Sequence, residues 1–89
     1  METTVETYGK YKSARGQLET QRVTIGKVEL YFSYKTLVAI NDGKELIVSE
    51  NQWSNTTGKH LDLIAPAEKR VKKEVFEEKK LAILGAYDA

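Results

Sequence analysis

Two runs of β-forming residues, separated by four turn-forming residues, are the feature that most constrains the fold of this chain. The runs span residues 36–40 and 45–49, and Asn41-Asp42-Gly43-Lys44 lies between them. Asp-Gly between such runs strongly indicates a β-hairpin, because glycine readily adopts the positive φ that the turn requires. We therefore expect two antiparallel strands joined by a turn that contains Gly43.

A period-two pattern precedes this hairpin. The segment RVTIGKVELYFSY begins at Arg22, and its apolar residues alternate with polar or aromatic ones, as in half-buried strands. Val28 and Leu30 are predicted to face the core, and Tyr31 the opposite side. Together with the hairpin, this pattern predicts an antiparallel β-meander of three to four strands.

A helix is predicted after Pro66. The segment EKRVKKEVFEEKKLAILG places Val75, Phe76 and Ile83 where they can share one helical face. We expect the helix to run from about residue 72 to 84 and to pack on one face of the sheet. The predicted fold is a single α+β domain over residues 21–89, and residues 1–20 form a polar N-terminal arm.

Composition excludes several classes of protein. The chain has no cysteine and one histidine, so disulfide scaffolds, thiolate metal sites and multi-histidine metal sites are excluded, and we expect no cofactor. No apolar run reaches 18 residues, and METTVETYGKYKSARG has no apolar leader segment, so we expect a cytoplasmic protein without a membrane partner. At 89 residues the stability margin is small, and a homodimer could bury more surface.

The segment NQWSNTTGKHLDLI, residues 51–64, holds the only tryptophan and the only histidine. Gly58-Lys59 resembles the end of a phosphate-binding loop, but Trp53 stands where that loop needs its first glycine, and His60 replaces the hydroxyl residue that binds Mg²⁺. A lone histidine beside hydroxyl residues lacks the third member of a serine-type site. We therefore expect no enzymatic activity.

Two interpretations of this segment remain open. In the structural one, Thr56 or Thr57 caps a short helix over residues 59–64, and Trp53 packs on the sheet. In the other, the segment is a binding loop, because its indole, amides, hydroxyls, lysine and histidine form a versatile polar surface.

A resemblance covers roughly residues 28–84. YFSYKTLVAI, followed by ENQWSNTTGKHLDLI, is similar to a pattern found in a family of small uncharacterised domains of bacteriophages, archaea and other mobile elements. The string WSNTTGKHL is long enough to make a chance match improbable. The resemblance implies a viral or mobile-element origin and, for a viral protein, the host cytoplasm as its location. It implies no activity.

Nucleic-acid binding is the function that we favour. In YGKYKSARG, tyrosines alternate with cations, and a second basic cluster spans residues 69–73, so that aromatics could stack on bases while cations contact phosphates. The alternative is a protein-binding module that docks on a host protein, since a net charge of +1 and several tyrosines also suit a protein interface. A small enzyme or ligand binder is the third hypothesis. The candidate binding residues are Trp53, Thr57, Lys59, His60, Tyr31, Tyr34, Tyr11, Lys12 and Arg15.

Overall fold

The computed structural model describes residues 3–8 and 20–85, which form a five-stranded sheet and two α-helices. A short 3-10 helix, Ala67–Lys69, lies between the two α-helices. The strands are β1 (Thr3–Glu6), β2 (Thr20–Ile25), β3 (Val28–Ser33), β4 (Thr36–Asn41) and β5 (Leu46–Val48), and the helices are α1 (Asn55–Asp62) and α2 (Lys73–Gly85).

The sheet is an antiparallel meander with the strand order β1-β2-β3-β4-β5. The predicted α+β fold is confirmed, with one strand more than expected. The additional strand is β1, which lies in the segment predicted to be a polar arm and pairs with β2 so that Val5 is opposite Val23. Its sequence, TTVE, has a single apolar residue and so shows no alternation, and only the pairing with β2 defines this strand.

The predicted hairpin around Gly43 joins β4 to β5. Gly43 has φ 95°, and the Asp42 carboxylate accepts hydrogen bonds from the backbone N–H groups of Lys44 (2.8 Å) and Glu45 (2.9 Å). The bonds from Glu45 and Lys44 lower the pKa of Asp42, because they stabilise its charged form. The β4–β5 turn is therefore held by side-chain and backbone interactions together.

Replacing Gly43 with alanine tests this turn. An added Cβ would lie 3.3 Å from both Lys27 Cβ and the Lys27 carbonyl oxygen, and an L residue at φ 95° is strained. We expect Gly43→Ala to lower the free energy of unfolding by more than about 1 kcal/mol. Urea denaturation measures this. Gly85→Ala is the matched control, because a Cβ there meets nothing within 4 Å. Equal stability of the two variants would contradict the prediction.

The sheet is covered on both faces. Successive residues of a strand point to opposite faces, and Ile47 and Val48 of β5 accordingly belong to different core clusters. Helix α2 packs on one face through Phe76, as predicted, and α1 packs on the other through Leu61. The α1-side cluster contains Val38, Ala39, Val48, Leu61 and Ala65, and the α2-side cluster contains Val28, Ile40, Ile47 and Phe76.

The segment before α2 closes the β5 edge of the sheet. Val71 donates its N–H to the Val48 carbonyl and accepts from the Glu50 N–H, each at 2.7 Å. The Glu50 carboxylate then accepts a hydrogen bond from the Lys73 N–H at 2.8 Å, where α2 begins. Residues 48–50 therefore determine where α2 starts. None of the helices in residues 3–8 and 20–85 is long and apolar enough to cross a membrane.

Candidate functional site

Ser54 determines where α1 begins. It is the N-cap residue, and its hydroxyl accepts a hydrogen bond from the Thr57 N–H at 3.2 Å, which satisfies one of the unpaired donors of the first turn. The predicted helix is therefore present, but it starts at Asn55, four residues before the predicted start. The predicted cap residues Thr56 and Thr57 lie inside the first turn.

Gly58 has a packing role. A Cβ at this position would lie 2.8 Å from Asn51 Nδ2. Asn51 lies against the first turn of α1, where its side chain donates to the Ser54 carbonyl (3.1 Å) and accepts from the Trp53 N–H (3.0 Å). The absence of a side chain at Gly58 permits this close approach. Gly58 and Lys59 therefore belong to the first turns of α1 and not to a phosphate-binding loop.

A polar network, almost wholly buried, connects β3 to α1. Ser33 Oγ lies 2.7 Å from His60 Nδ1 and 3.1 Å from Thr57 Oγ1. Ser33 is 1% exposed and His60 is 0% exposed. A hydroxyl beside an imidazole resembles a nucleophile with its base, but in this conformation no substrate can approach the Ser33 oxygen. The arrangement therefore holds α1 on the sheet.

Tyr34 follows Ser33 and is the first residue of the two-residue turn between β3 and β4. Its ring centroid lies 5.6 Å from that of His60, with the ring planes tilted by 50°. The residue is 47% exposed. The buried network thus has an exposed aromatic residue directly beside it.

Trp53 belongs to neither core cluster of the sheet, so its predicted role as a core anchor finds no support. Its residue is 37% exposed. The anchoring that we expected from the indole is performed by Asn51, which holds the Trp53 backbone, and by the buried side chains of Thr57 and His60. The tryptophan is therefore available to a partner.

The segments that carry exposed aromatic residues and lysines are joined at this end of the sheet. The hydrogen bonds that run from Ser33 through Thr57 to Ser54 join the residue before Tyr34 to the residue after Trp53. Residues 30–41 and 51–61 contain no aspartate or glutamate, and Asp62, the last residue of α1, is paired with Arg70. We call this region the Tyr34–Trp53 surface, and it consists of Tyr34, Lys35, Trp53 and Lys59.

Among residues 3–8 and 20–85, no carboxylate lies within ion-pair distance of the lysines of this surface. Lys35 and Lys59 are exposed, and neither makes an ion pair with any residue that the structure describes. Elsewhere, several cations are paired: Arg22 with Glu6 (3.2 Å) and Glu29 (3.7 Å), Arg70 with Asp62 (2.6 Å), Lys79 with Glu45 (3.6 Å) and Lys80 with Glu77 (2.7 Å).

The ion pair between Arg70 and Asp62 removes one cation from the predicted basic cluster at residues 69–73. Arg70 is largely buried, and it also donates from Nε to the Ala65 carbonyl at 3.1 Å. Its guanidinium therefore fixes the connection between α1 and the 3-10 helix and is not presented to a polyanion.

Tyr31 does not lie on an open face as the period-two pattern suggested. It is half-buried against the α1-side cluster, and the Tyr8 ring meets it edge-on at 5.4 Å. The Tyr8 hydroxyl donates to the Phe32 carbonyl at 2.7 Å. Burial and the nearby Tyr31 raise the pKa of Tyr8 above its ordinary value. These two tyrosines are packing residues.

The structure therefore separates the candidate residues into three groups. Trp53, Lys59 and Tyr34 are exposed at one end of the sheet. Thr57, His60 and Tyr31 are buried or half-buried and position the others. Tyr11, Lys12 and Arg15 lie outside the described residues.

Two residues that matter here were missed in the sequence. The period-two pattern places Ser33 on the same face as Tyr31, and nothing in the sequence indicates that α1 covers that face. Asn51 could have been identified from the sequence. Asparagine side chains often accept a hydrogen bond from the backbone two residues on, which here is the Trp53 N–H. Within the described part of the chain, no group of three or more histidine, cysteine or acidic residues could hold a metal ion.

Comparison with known proteins identifies a family match. Residues 2–79 match a family described as a family of unknown function (DUF8033). The match includes all five strands, α1 and the first half of α2, so the Tyr34–Trp53 surface lies within it. No curated protein and no solved structure matches the chain.

Proposed function

We propose that this chain, which belongs to the DUF8033 family of unknown function, is a non-enzymatic binding protein whose Tyr34–Trp53 surface binds nucleic acid. One observation carries the proposal. The β3–β4 turn and the segment that enters α1 are joined at one end of the sheet, and they carry two exposed aromatic residues and two exposed lysines that make no ion pair with the described residues. Aromatic and cationic side chains in one place match the bases and phosphates of a nucleic acid.

Each part of the surface has a defined role in this proposal. Lys35 and Lys59 contact phosphates and release counterions, so that affinity falls as salt concentration rises. Trp53 and Tyr34 offer ring faces to bases. With two cations, we expect a dissociation constant in the range of about 10⁻⁴ to 10⁻⁶ M, which is typical of binding without sequence preference.

The proposed setting is a virus or another mobile element, with the protein in the host cytoplasm. The sequence resemblance to phage and mobile-element domains supports this setting. The burial of the Ser33–His60 pair supports binding without catalysis, because a reaction at Ser33 would require α1 to leave the sheet.

Fluorescence anisotropy at several salt concentrations tests the proposal. Labelled single-stranded DNA, duplex DNA and RNA are titrated with the parent protein and with Lys35→Ala and Lys59→Ala. Each variant is expected to bind more weakly and to reduce the slope of log affinity against log salt by about 1, the effect of one lost phosphate contact.

Lys44→Ala is the matched control. Lys44 is exposed like the other two lysines but lies in the β4–β5 turn, at the opposite end of the sheet, so its loss should leave the slope unchanged. A parent protein that binds none of the probes at low salt would refute the proposal. If only Arg15→Ala weakened binding, the contact would belong to the N-terminal arm and not to the Tyr34–Trp53 surface.

A protein-binding module that acts on a host protein is the second candidate. It is favoured by large apolar side chains that are exposed outside the Tyr34–Trp53 surface, for example Leu63 and Leu81. Such side chains could also contact a second copy of the chain in a homodimer. Salt dependence separates this candidate from the first, because an interface centred on apolar and aromatic side chains responds weakly to salt.

A further inference from the structure

The backbone at Tyr34 has a positive φ, which glycine adopts more readily than tyrosine. Tyr34 has φ 56° and is the only non-glycine residue with positive φ in residues 3–8 and 20–85. It is the first residue of the two-residue turn Tyr34-Lys35 that joins β3 to β4. Glycine adopts positive φ at such a turn position without the steric cost that a residue with a Cβ carries.

Neighbouring residues hold Tyr34 in this conformation. Ser33 pairs with Thr36 across the base of the turn, and Ser33 Oγ lies 2.7 Å from His60 Nδ1. The imidazole in turn contacts the Tyr34 ring. The ring is therefore already oriented before any partner binds. It lies against His60, and about half of the residue surface is exposed to solvent.

Stability alone does not explain a tyrosine here. Glycine would adopt the turn without strain, whereas the tyrosine packs its ring on His60 and, at 47% exposed, keeps part of its surface accessible to a partner. Strained backbone that is held in place by surrounding structure is concentrated at binding and catalytic sites. The conformation at Tyr34 therefore indicates that its ring has a function outside the fold.

We infer that Tyr34 is a stacking platform for an unpaired base, so that the nucleic acid which this surface binds is single-stranded; the inference rests on the function proposed above. The base faces of a duplex are covered by the neighbouring base pairs, and only an unpaired base can stack on an exposed ring. A ring oriented in advance loses little conformational freedom on binding. Trp53 supplies a second ring on the same surface.

The Tyr34–Trp53 surface and α1 are poorly suited to reading the grooves of a duplex. Helix α1 has eight residues, and Thr57, His60 and Leu61 of this helix face the sheet. Its exposed side carries one lysine, Lys59, so the helix offers few side chains that could read a groove. Duplex contacts at this surface would therefore be limited to phosphates.

Three substitutions at position 34 test the inference by anisotropy with a labelled 12-nucleotide DNA, an RNA of the same sequence and the corresponding 12-base-pair duplex. The parent is expected to bind the single strands more tightly than the duplex. Tyr34→Gly and Tyr34→Asn, both tolerant of positive φ, should lose roughly 5- to 100-fold in affinity for the single strands and change little toward the duplex. Tyr34→Phe should stay within about twofold of the parent, because the ring is retained.

Thermal unfolding of the same variants separates binding from folding. Because the turn strain is relieved, the Tm of Tyr34→Gly should be within about 4 °C of the parent value, or above it. A loss of affinity without a loss of Tm supports the inference, and the DNA and RNA arms show which sugar is preferred. If Tyr34→Gly destabilises the fold, Tyr34→Asn provides the comparison of folded proteins.

Three results would overturn the inference. They are full single-strand affinity in the two variants that lack the ring, equal binding of duplex and single strand by the parent, and a loss of affinity in Tyr34→Phe as large as in Tyr34→Gly. In the first case, weaker binding by Lys35→Ala and Lys59→Ala would leave the proposed function intact. Absence of binding by the parent to every probe would refute the proposed function as well.

Discussion

Phe76→Ala is expected to lower the free energy of unfolding by about 3–5 kcal/mol, the range for truncating a buried phenylalanine. Phe76 is 1% exposed and is the only residue of α2 that is fully buried among those described. It packs with Val28, Ile40 and Ile47. Because α2 meets this face of the sheet mainly through one side chain, removal of that side chain creates a cavity and releases the helix.

Chemical denaturation followed by circular dichroism measures this effect, and Leu81→Ala is the matched control. Leu81 lies on the same helix but is 72% exposed, so its truncation should change stability by less than about 0.5 kcal/mol. Similar stability losses in both variants would mean that α2 contacts the sheet differently. A Phe76→Ala protein as stable as the parent would show that α2 contributes nothing to the fold.

Ser33→Ala is expected to cost about 2–3 kcal/mol, although it removes a single oxygen atom. The Ser33 hydroxyl contacts His60 Nδ1 and the Thr57 hydroxyl in a nearly dry site, and its loss takes one partner from each of them. A buried polar group that loses its partner cannot turn to water, so each loss costs about 1–3 kcal/mol. The effect should be concentrated at the contact between β3 and α1.

Urea denaturation gives the magnitude, and amide hydrogen exchange gives the location. Amides of α1 should exchange faster in Ser33→Ala, while those of α2 should respond only to the global change. Thr36→Ala is the control, since Thr36 is opposite Ser33 in the β3–β4 pairing but is exposed. If Ser33→Ala and Thr36→Ala were equally stable, the Ser33–His60–Thr57 contacts would not stabilise the fold.

Local signals were sufficient for most of the fold. Asp-Gly at positions 42–43 predicted the β4–β5 turn, because positive φ at Gly43 is a property of the residue itself. The spacing of Val75, Phe76 and Ile83 predicted a helix that packs on the sheet. Phe76 belongs to that core cluster and Ile83 packs against it, whereas Val75 is 39% exposed. Strand β1 could not be predicted, because four residues form a strand only when β2 is beside them.

Less of the candidate site could be predicted. The sequence indicated that residues 51–64 mattered, because the single tryptophan and histidine lie there, but it did not distinguish exposed from buried members. Trp53 and His60 were both candidate binding residues, and the structure leaves Trp53 37% exposed but buries His60 fully. The difference depends on which strand α1 covers, and the contact between Ser33 and His60 joins residues 27 positions apart.

The sequence by itself therefore determined the α+β fold, the meander, the hairpin at Gly43 and the C-terminal helix, since each depends on the conformational preferences and spacing of nearby residues. Only the tertiary structure decided that both faces of the sheet are covered, that Ser33, Thr57 and His60 form a buried network, and that Tyr34 and Trp53 lie at the same end of the sheet. Those features depend on contacts between segments far apart in the chain. Contacts of this kind produce no periodic pattern in the sequence, because the residues that form them come together only when the helices pack on the sheet.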